Sequence, residues 1–167
     1  MALDQRPFPD RSPAPDFELA NQHGAPVRLR DLAGHPAFLV FFPFAFSRVC
    51  TGELRQLSSQ AAIFEQAGAR VVGVSCDSRY TLRAYAEAED LPFDLLSDFW
   101  PHGEVSRLFG AFDEQLGRPI RLTAVIRPDG SLAETFSTGP GEARPPAAYR
   151  DALGRLAAAP AAPGAVT

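Results

Sequence analysis

The sequence predicts an α/β fold, a mixed β-sheet flanked by helices with an N-terminal β-hairpin. A continuously apolar run, "AFLVFFP" at 37–43, and a second, mainly apolar one, "RVVGVSC" at 70–76, are each followed by a stretch of helical periodicity. Strands alternating with helices imply right-handed crossovers and parallel neighbours in one sheet. Further on, "RLTAVIRPDGSLAETFS" at 121–137 reads as two strands joined at Pro128-Asp129-Gly130, which adds an antiparallel pair.

Residues 3–15 hold four prolines and little periodicity, so 1–15 reads as an extended arm. "DFELANQHGAPVRLRDL" then gives two short alternating runs about Asn21 to Gly24, which suits a hairpin. The run at 37–43 is apolar throughout and stops at Pro43, as a strand covered on both faces does. From Cys50 the apolar residues fall at 50, 54, 57, 61 and 64, which predicts one helix of about four turns ended by Gly68. A second buried strand follows at 70–76. "RYTLRAYAEAED" at 79–90 places Leu82, Tyr85 and Ala86 on one side of a second helix. Residues 97–120 read as a loop with a short helical piece at 103–109, and "PPAAYRDALGRLAAA" as a closing helix with proline near its start. The organisation expected is one domain over 1–159 and a flexible tail at 160–167.

Composition narrows the function. Of 167 residues 46% are apolar and 22% charged, the balance of a globular domain. A net charge of -4, with no basic cluster, argues against nucleic acid or an anionic membrane as partner. The N-terminus has no apolar core of a signal peptide and no run is long enough to span a bilayer, which predicts a cytoplasmic protein. In a reducing cytosol the two cysteines, Cys50 and Cys76, are expected to act through free thiols if they act at all. His23, His35 and His102 are scattered and lack ligand spacing, so no metal is expected.

Cys50 stands at the start of the helix that follows a central strand. In an α/β sheet the loops after parallel strands collect at one edge, where ligand sites form. The first turn of a helix presents free N–H groups and the positive end of the dipole, which favour a thiolate. Ser47 is placed as an N-cap able to bond the Cys50 backbone or touch its sulfur, and Pro43 ends the strand and walls the thiol from water. Cys50 also lies on the apolar stripe of Leu54 and Leu57, so these residues alone leave packing and chemistry both open.

The spacing in "PFAFSRVC", Pro43 to Ser47 to Cys50, resembles the Pro-x-x-x-Thr/Ser-x-x-Cys signature of the peroxiredoxins, thiol peroxidases of thioredoxin-like fold. The resemblance extends through "APDFEL" at 14–19, Glu53, "GVSCDS" at 73–78, "LLSD" at 95–98 and Arg121. "SDFWPHG" and "FGAFDEQLG" point to the alkyl hydroperoxide reductase E subgroup. The resemblance implies that Cys50 is the peroxidatic cysteine, oxidised to a sulfenic acid by hydrogen peroxide, alkyl hydroperoxides or peroxynitrite, with no cofactor. It implies that the Ser47 hydroxyl, where most members have Thr, bonds the peroxide, and that Arg121 holds the thiolate and the peroxide oxygens. Glu53 would orient Arg121. Without the resemblance, Arg121 and Glu53 would read as a solvated strand residue and a helix-surface residue.

Cys76 is the internal candidate for resolving the sulfenic acid. No cysteine lies five residues after Cys50, so the resemblance favours a one-cysteine mechanism with an external thiol, mycothiol with a glutaredoxin-like protein or thioredoxin. A peroxide-sensing relay protein and a two-cysteine peroxidase resolved by Cys76 are the alternatives. A dithiol oxidoreductase needs Cys-x-x-Cys, which is absent. A cysteine phosphatase needs Arg six places after the cysteine, where Gln56 stands and Arg55 misses by one. The subgroup resemblance also implies a homodimer or higher oligomer, with Phe99 and Trp100 in an aromatic contact loop.

Overall fold

The computed structural model describes Pro9 and residues 11–159; most of 1–10 and the tail 160–167 lie outside the described residues. The strands are β1 (Glu18–Asn21), β2 (Pro26–Arg28), β3 (Ala37–Phe41), β4 (Arg70–Ser75), β5 (Asp94–Ser97), β6 (Phe112–Asp113), β7 (Arg118–Pro119), β8 (Arg121–Ile126) and β9 (Leu132–Thr138). The helices are α1 (Arg48–Ser59), α2 (Ala61–Gln66), α3 (Arg79–Glu89), α4 (Glu104–Leu108) and α5 (Pro146–Ala158).

Seven strands form one sheet in the order β2-β1-β5-β4-β3-β8-β9. The two apolar runs, β3 and β4, pair in parallel, and β5 is parallel to β4. β8 runs antiparallel to β3 and to β9, and the β1–β2 hairpin closes the other side by pairing antiparallel with β5. Mixing follows from the connections: β3, β4 and β5 are linked through helices, whereas β8 and β9 share a tight turn at Pro128-Asp129-Gly130.

Strand alternation divides the core in two. Leu39, Phe41, Val72, Val74, Leu96, Leu122 and Ala124 face one side, where they meet Phe17 of the lead-in and Val105 and Phe109 of the α4 segment. Phe38, Val40, Phe42, Leu95 and Val125 face the other, packed by α1, α2, α3 and α5 through Leu54, Leu57, Phe64, Leu82, Tyr85 and Tyr149. All five residues of β3 are at most 1% exposed, and burial of each large side chain contributes about 1.5–3 kcal/mol. Edge-to-face contacts of Phe38 with Phe64 and of Phe136 with Tyr149 fasten α2 and α5 to the sheet.

Four elements differ from the sequence expectation. The four-turn helix is broken at Gln60 into α1 and α2: the Ser59 hydroxyl donates to the Gln56 carbonyl at 2.6 Å, and such local bonds compete with the helical ladder. β5 and the small β6–β7 hairpin were not expected at 94–120. The lead-in is not free at its inner end, because Ala14 N–H bonds the Gly130 carbonyl and Leu132 N–H bonds the Ser12 carbonyl.

Candidate active site

Cys50 lies in the first turn of α1 and is fully buried. The strand-to-helix crossing is short: Phe42 continues β3 through its N–H bond to the Val74 carbonyl, Pro43 is buried, and Phe44 to Ser47 turn the chain into the helix. Phe46 adopts the left-handed region at φ 65°, unusual for a bulky side chain, and its ring packs tilted against that of Tyr85, with centroids 4.9 Å apart. Tyr85 in turn shares a 3.0 Å hydrogen bond with Thr51, the residue after Cys50. Burial pushes the Tyr85 hydroxyl up to about 12, so it stays protonated at neutral pH.

Ser47 is the N-cap residue, yet its hydroxyl does not cap. It donates instead to the Phe44 carbonyl at 3.0 Å, three residues back, because the left-handed Phe46 folds the loop onto itself. The expectation that Ser47 would bond the Cys50 backbone is corrected here.

Arg121, at the first position of β8, is 4% exposed and its Nη1 lies 3.2 Å from Cys50 Sγ. Its Nε donates to the Pro140 carbonyl at 3.1 Å, which fixes the plane of the guanidinium. Glu53, one turn beyond Cys50 on α1, is 2% exposed and approaches Arg121 Nη1 at 3.8 Å. Its closer partner is Arg144, a residue the sequence did not reveal. Arg144 donates from Nε and Nη2 to Glu53 Oε1, and from its backbone N–H to Oε2 at 2.6 Å. Its Nη1 reaches Thr123 Oγ1 at 3.2 Å, which is bonded to the Tyr149 hydroxyl. Burial alone would lower Arg144, but its neighbours Tyr149, Glu53 and Cys50 and the hydrogen bond with Glu53 outweigh it and hold it above its ordinary range. No local signal marks Arg144 in "GEARPP"; its bonds to Glu53 span 91 residues of chain.

The charge balance of this cluster is informative. Two guanidiniums against one carboxylate leave one positive charge beside the Cys50 sulfur. Buried charges persist when paired, so the cluster can stabilise negative charge that develops beside it. The arrangement offers a nucleophile whose sulfur faces fixed donors.

Cys76 is placed differently. It follows β4 and continues the alternation of Val72 and Val74, which face the lead-in side of the sheet, whereas Cys50 packs on the opposite side. Its surroundings are Asp98, Asp77, Arg107 and the Gly103 backbone. Burial, reinforced by Asp98 and Asp77, pushes its thiol up to about 12. Both cysteines are free. Among the described residues no cluster of three or more His, Cys, Asp or Glu is arranged to hold a metal, and no helix is long and apolar enough to cross a membrane.

Fold and site together define a thioredoxin-like protein built around a buried thiol in an arginine cluster. Residues 11–135 match the model of the AhpC/TSA family. Over 146 residues the chain is 40% identical to alkyl hydroperoxide reductase E of Mycobacterium tuberculosis strain H37Rv, covering 87% of this chain and 95% of that protein. It is 33% identical over 129 residues to peroxiredoxin Bcp of Escherichia coli K12, covering 74% and 81%. Among solved structures, peroxidoxin BcpB from M. tuberculosis superposes with a TM-score of 0.77 at 31% identity, covering 91% of this chain and 98% of that one. Enterococcus faecalis AhpC gives 0.81 at 26% identity, covering 87% and 90%. The chain therefore belongs to the AhpC/TSA family of peroxiredoxins, thiol-dependent peroxidases.

Proposed function

We propose that the protein reduces hydrogen peroxide and alkyl hydroperoxides through Cys50 by a one-cysteine mechanism. The observation that carries this reading is the 3.2 Å contact from Arg121 Nη1 to a fully buried Cys50 Sγ. The thiolate attacks the terminal peroxide oxygen; an S–O bond forms as the O–O bond breaks, sulfur is oxidised, and the leaving alkoxide takes up a proton as alcohol or water. Arg121 stabilises negative charge as it passes from sulfur to oxygen. The Ser47 hydroxyl binds the peroxide, and buried Pro43 shields the sulfur. Glu53 acts through both arginines. An external thiol then attacks the sulfenic sulfur, releasing water, and a second thiol frees Cys50 as a disulfide of the reductant. Mycothiol with a glutaredoxin-like protein, or thioredoxin, fits this role.

The location of Cys76 on the other face of the sheet supports an external reductant, since a disulfide needs Cβ vectors that point toward one another. Phe99 and Trp100, 55% and 81% exposed, support a homodimer contact on that loop. Intact-mass analysis after one equivalent of peroxide tests the chemistry. Oxygen addition persisting in Cys50→Ser at the wild-type rate would overturn the role of Cys50. A loss of two hydrogens in wild type that disappears in Cys76→Ser would make Cys76 the resolving thiol. Continued peroxide consumption with added thiol separates a peroxidase from a sensor, which stops after one equivalent.

A further inference from the structure

The loop that delivers Ser47 is held from outside the Cys50 cluster by a carboxylate. Asp77 follows Cys76 at the end of β4, and its Oδ2 accepts the Ala45 N–H at 2.9 Å and the Ser75 hydroxyl at 2.7 Å. Its own N–H donates to Ser75 Oγ at 3.2 Å, and its carbonyl accepts the Ser97 hydroxyl at 2.6 Å from the end of β5. Asp77 is thereby fixed to two adjacent parallel strands, and Ser75 is fully buried.

The bond to Ala45 lands on one particular peptide group. The unit whose N–H belongs to Ala45 has the carbonyl of Phe44, and that carbonyl receives the Ser47 hydroxyl at 3.0 Å. One rigid plane therefore joins the Asp77 carboxylate to the Ser47 hydroxyl. A carboxylate on the N–H also polarises the unit and makes its carbonyl a stronger acceptor. Serine lacks the β-branch that would restrict its χ1, so the orientation of this hydroxyl depends on that carbonyl.

We propose that Asp77 is a positioning residue for the peroxidase reaction, acting through the Phe44–Ala45 peptide to aim the Ser47 hydroxyl at the bound peroxide. The inference rests on the role assigned to Ser47 above. Loss of the carboxylate lets the peptide rotate and the hydroxyl leave its productive rotamer, while Cys50 and Arg121, held by α1 and β8, stay in place.

A double-mutant cycle reads this directly. The second-order rate constant for Cys50 oxidation by hydrogen peroxide is measured by stopped flow in wild type, Asp77→Ala, Ser47→Ala and the double variant. Cys50 alkylation by iodoacetamide, which needs no hydroxyl, is followed in parallel. The expected result is a loss of about tenfold for Asp77→Ala in the wild-type background. In the Ser47→Ala background the loss falls below about twofold, and alkylation stays within about twofold throughout. Asp77→Asn, whose amide oxygen still accepts the Ala45 N–H, recovers most of the rate. Equal losses in both backgrounds, or no loss in the wild-type background, overturn the proposal. If Asp77→Ala fails to fold, the same cycle is run with Ser75→Ala, which removes one of the bonds that orient the carboxylate; the same criterion applies. A wild type inert to peroxide would instead overturn the assignment of Cys50, and an undiminished rate in Ser47→Ala would overturn that of Ser47.

Discussion

Arg144→Met cuts the cluster at its most buried point. The Arg144 side chain is fully buried and Glu53 is 2% exposed. The substitution removes both guanidinium bonds to Glu53 and the bond to Thr123, leaving the carboxylate with the Arg144 backbone N–H and the more distant Arg121. Removing one partner of a buried pair costs about 3–5 kcal/mol, and in a domain of this size each kcal/mol lowers Tm by about 2–4 °C. A fall of about 6–20 °C is expected. The chemical effect has a second source. Glu53, deprived of Arg144, is drawn to Arg121 from its present 3.8 Å and competes with Cys50 for the same Nη1. A hydrogen bond to a charged group is worth about 1.5–3 kcal/mol, so its full loss slows peroxide reduction by about 10- to 160-fold. Differential scanning calorimetry and stopped-flow oxidation measure the two effects separately. The double variant Glu53→Leu/Arg144→Met should regain much of the stability, since it leaves no buried carboxylate without its main partner and the cluster keeps the single excess positive charge of the wild type. A Tm within about 2 °C of wild type would refute the cost assigned to the pair. A large fall in Tm with an unchanged rate would refute the coupling of the two arginines through Glu53.

Arg121→Lys keeps the charge but loses the fork that bonds Pro140 and Cys50 together; peroxide reduction should drop at least about tenfold while circular dichroism stays native. Cys76, with its thiol pushed up to about 12, should react with iodoacetamide far more slowly than an unfolded cysteine at pH 8. Because its folded value lies above the unfolded one, its share of stability is complete below about pH 9 and is lost as pH rises toward about 12. Cys76→Ser should flatten that part of the stability profile in alkaline urea titrations. At Gly73 an added Cβ would sit 2.7 Å from Leu95 Cδ2 and 3.1 Å from Phe42 Cε1, so Gly73→Ala should cost about 1–3 kcal/mol in chemical denaturation; no change would mean that this contact yields freely.

The strands β3 and β4, helices α1 and α3 and the β8–β9 hairpin were legible because each carries its signal locally, as an apolar run, a 3.6-residue period or a turn tripeptide. β5 was not, since its central Leu95-Leu96 is too short to distinguish from loop until β4 and β1 flank it. The β6–β7 pair has two residues per strand and is held by the α4 segment, including the bond from Arg107 to Glu114. At the site, Cys50, Ser47 and Pro43 form a contiguous stretch with a fixed spacing. Arg121 and Glu53 gained meaning only through resemblance, and Arg144 through none, because its place depends on the chain after β9 returning over α1. Asp77 stood in plain view in "GVSCDS", but its bond to Ala45 exists only once β3 and β4 lie side by side.

The placement of the two thiols on opposite faces of the sheet has a kinetic consequence. In the one-cysteine mechanism proposed above, the sulfenic acid has a lifetime set from outside, by the concentration and attack rate of the reductant. During that lifetime a second peroxide competes for the same sulfur, and winning converts it irreversibly to sulfinic acid. On that mechanism the ratio of peroxide to reducing thiol, rather than any internal clock, decides how many turnovers each molecule completes before it is silenced.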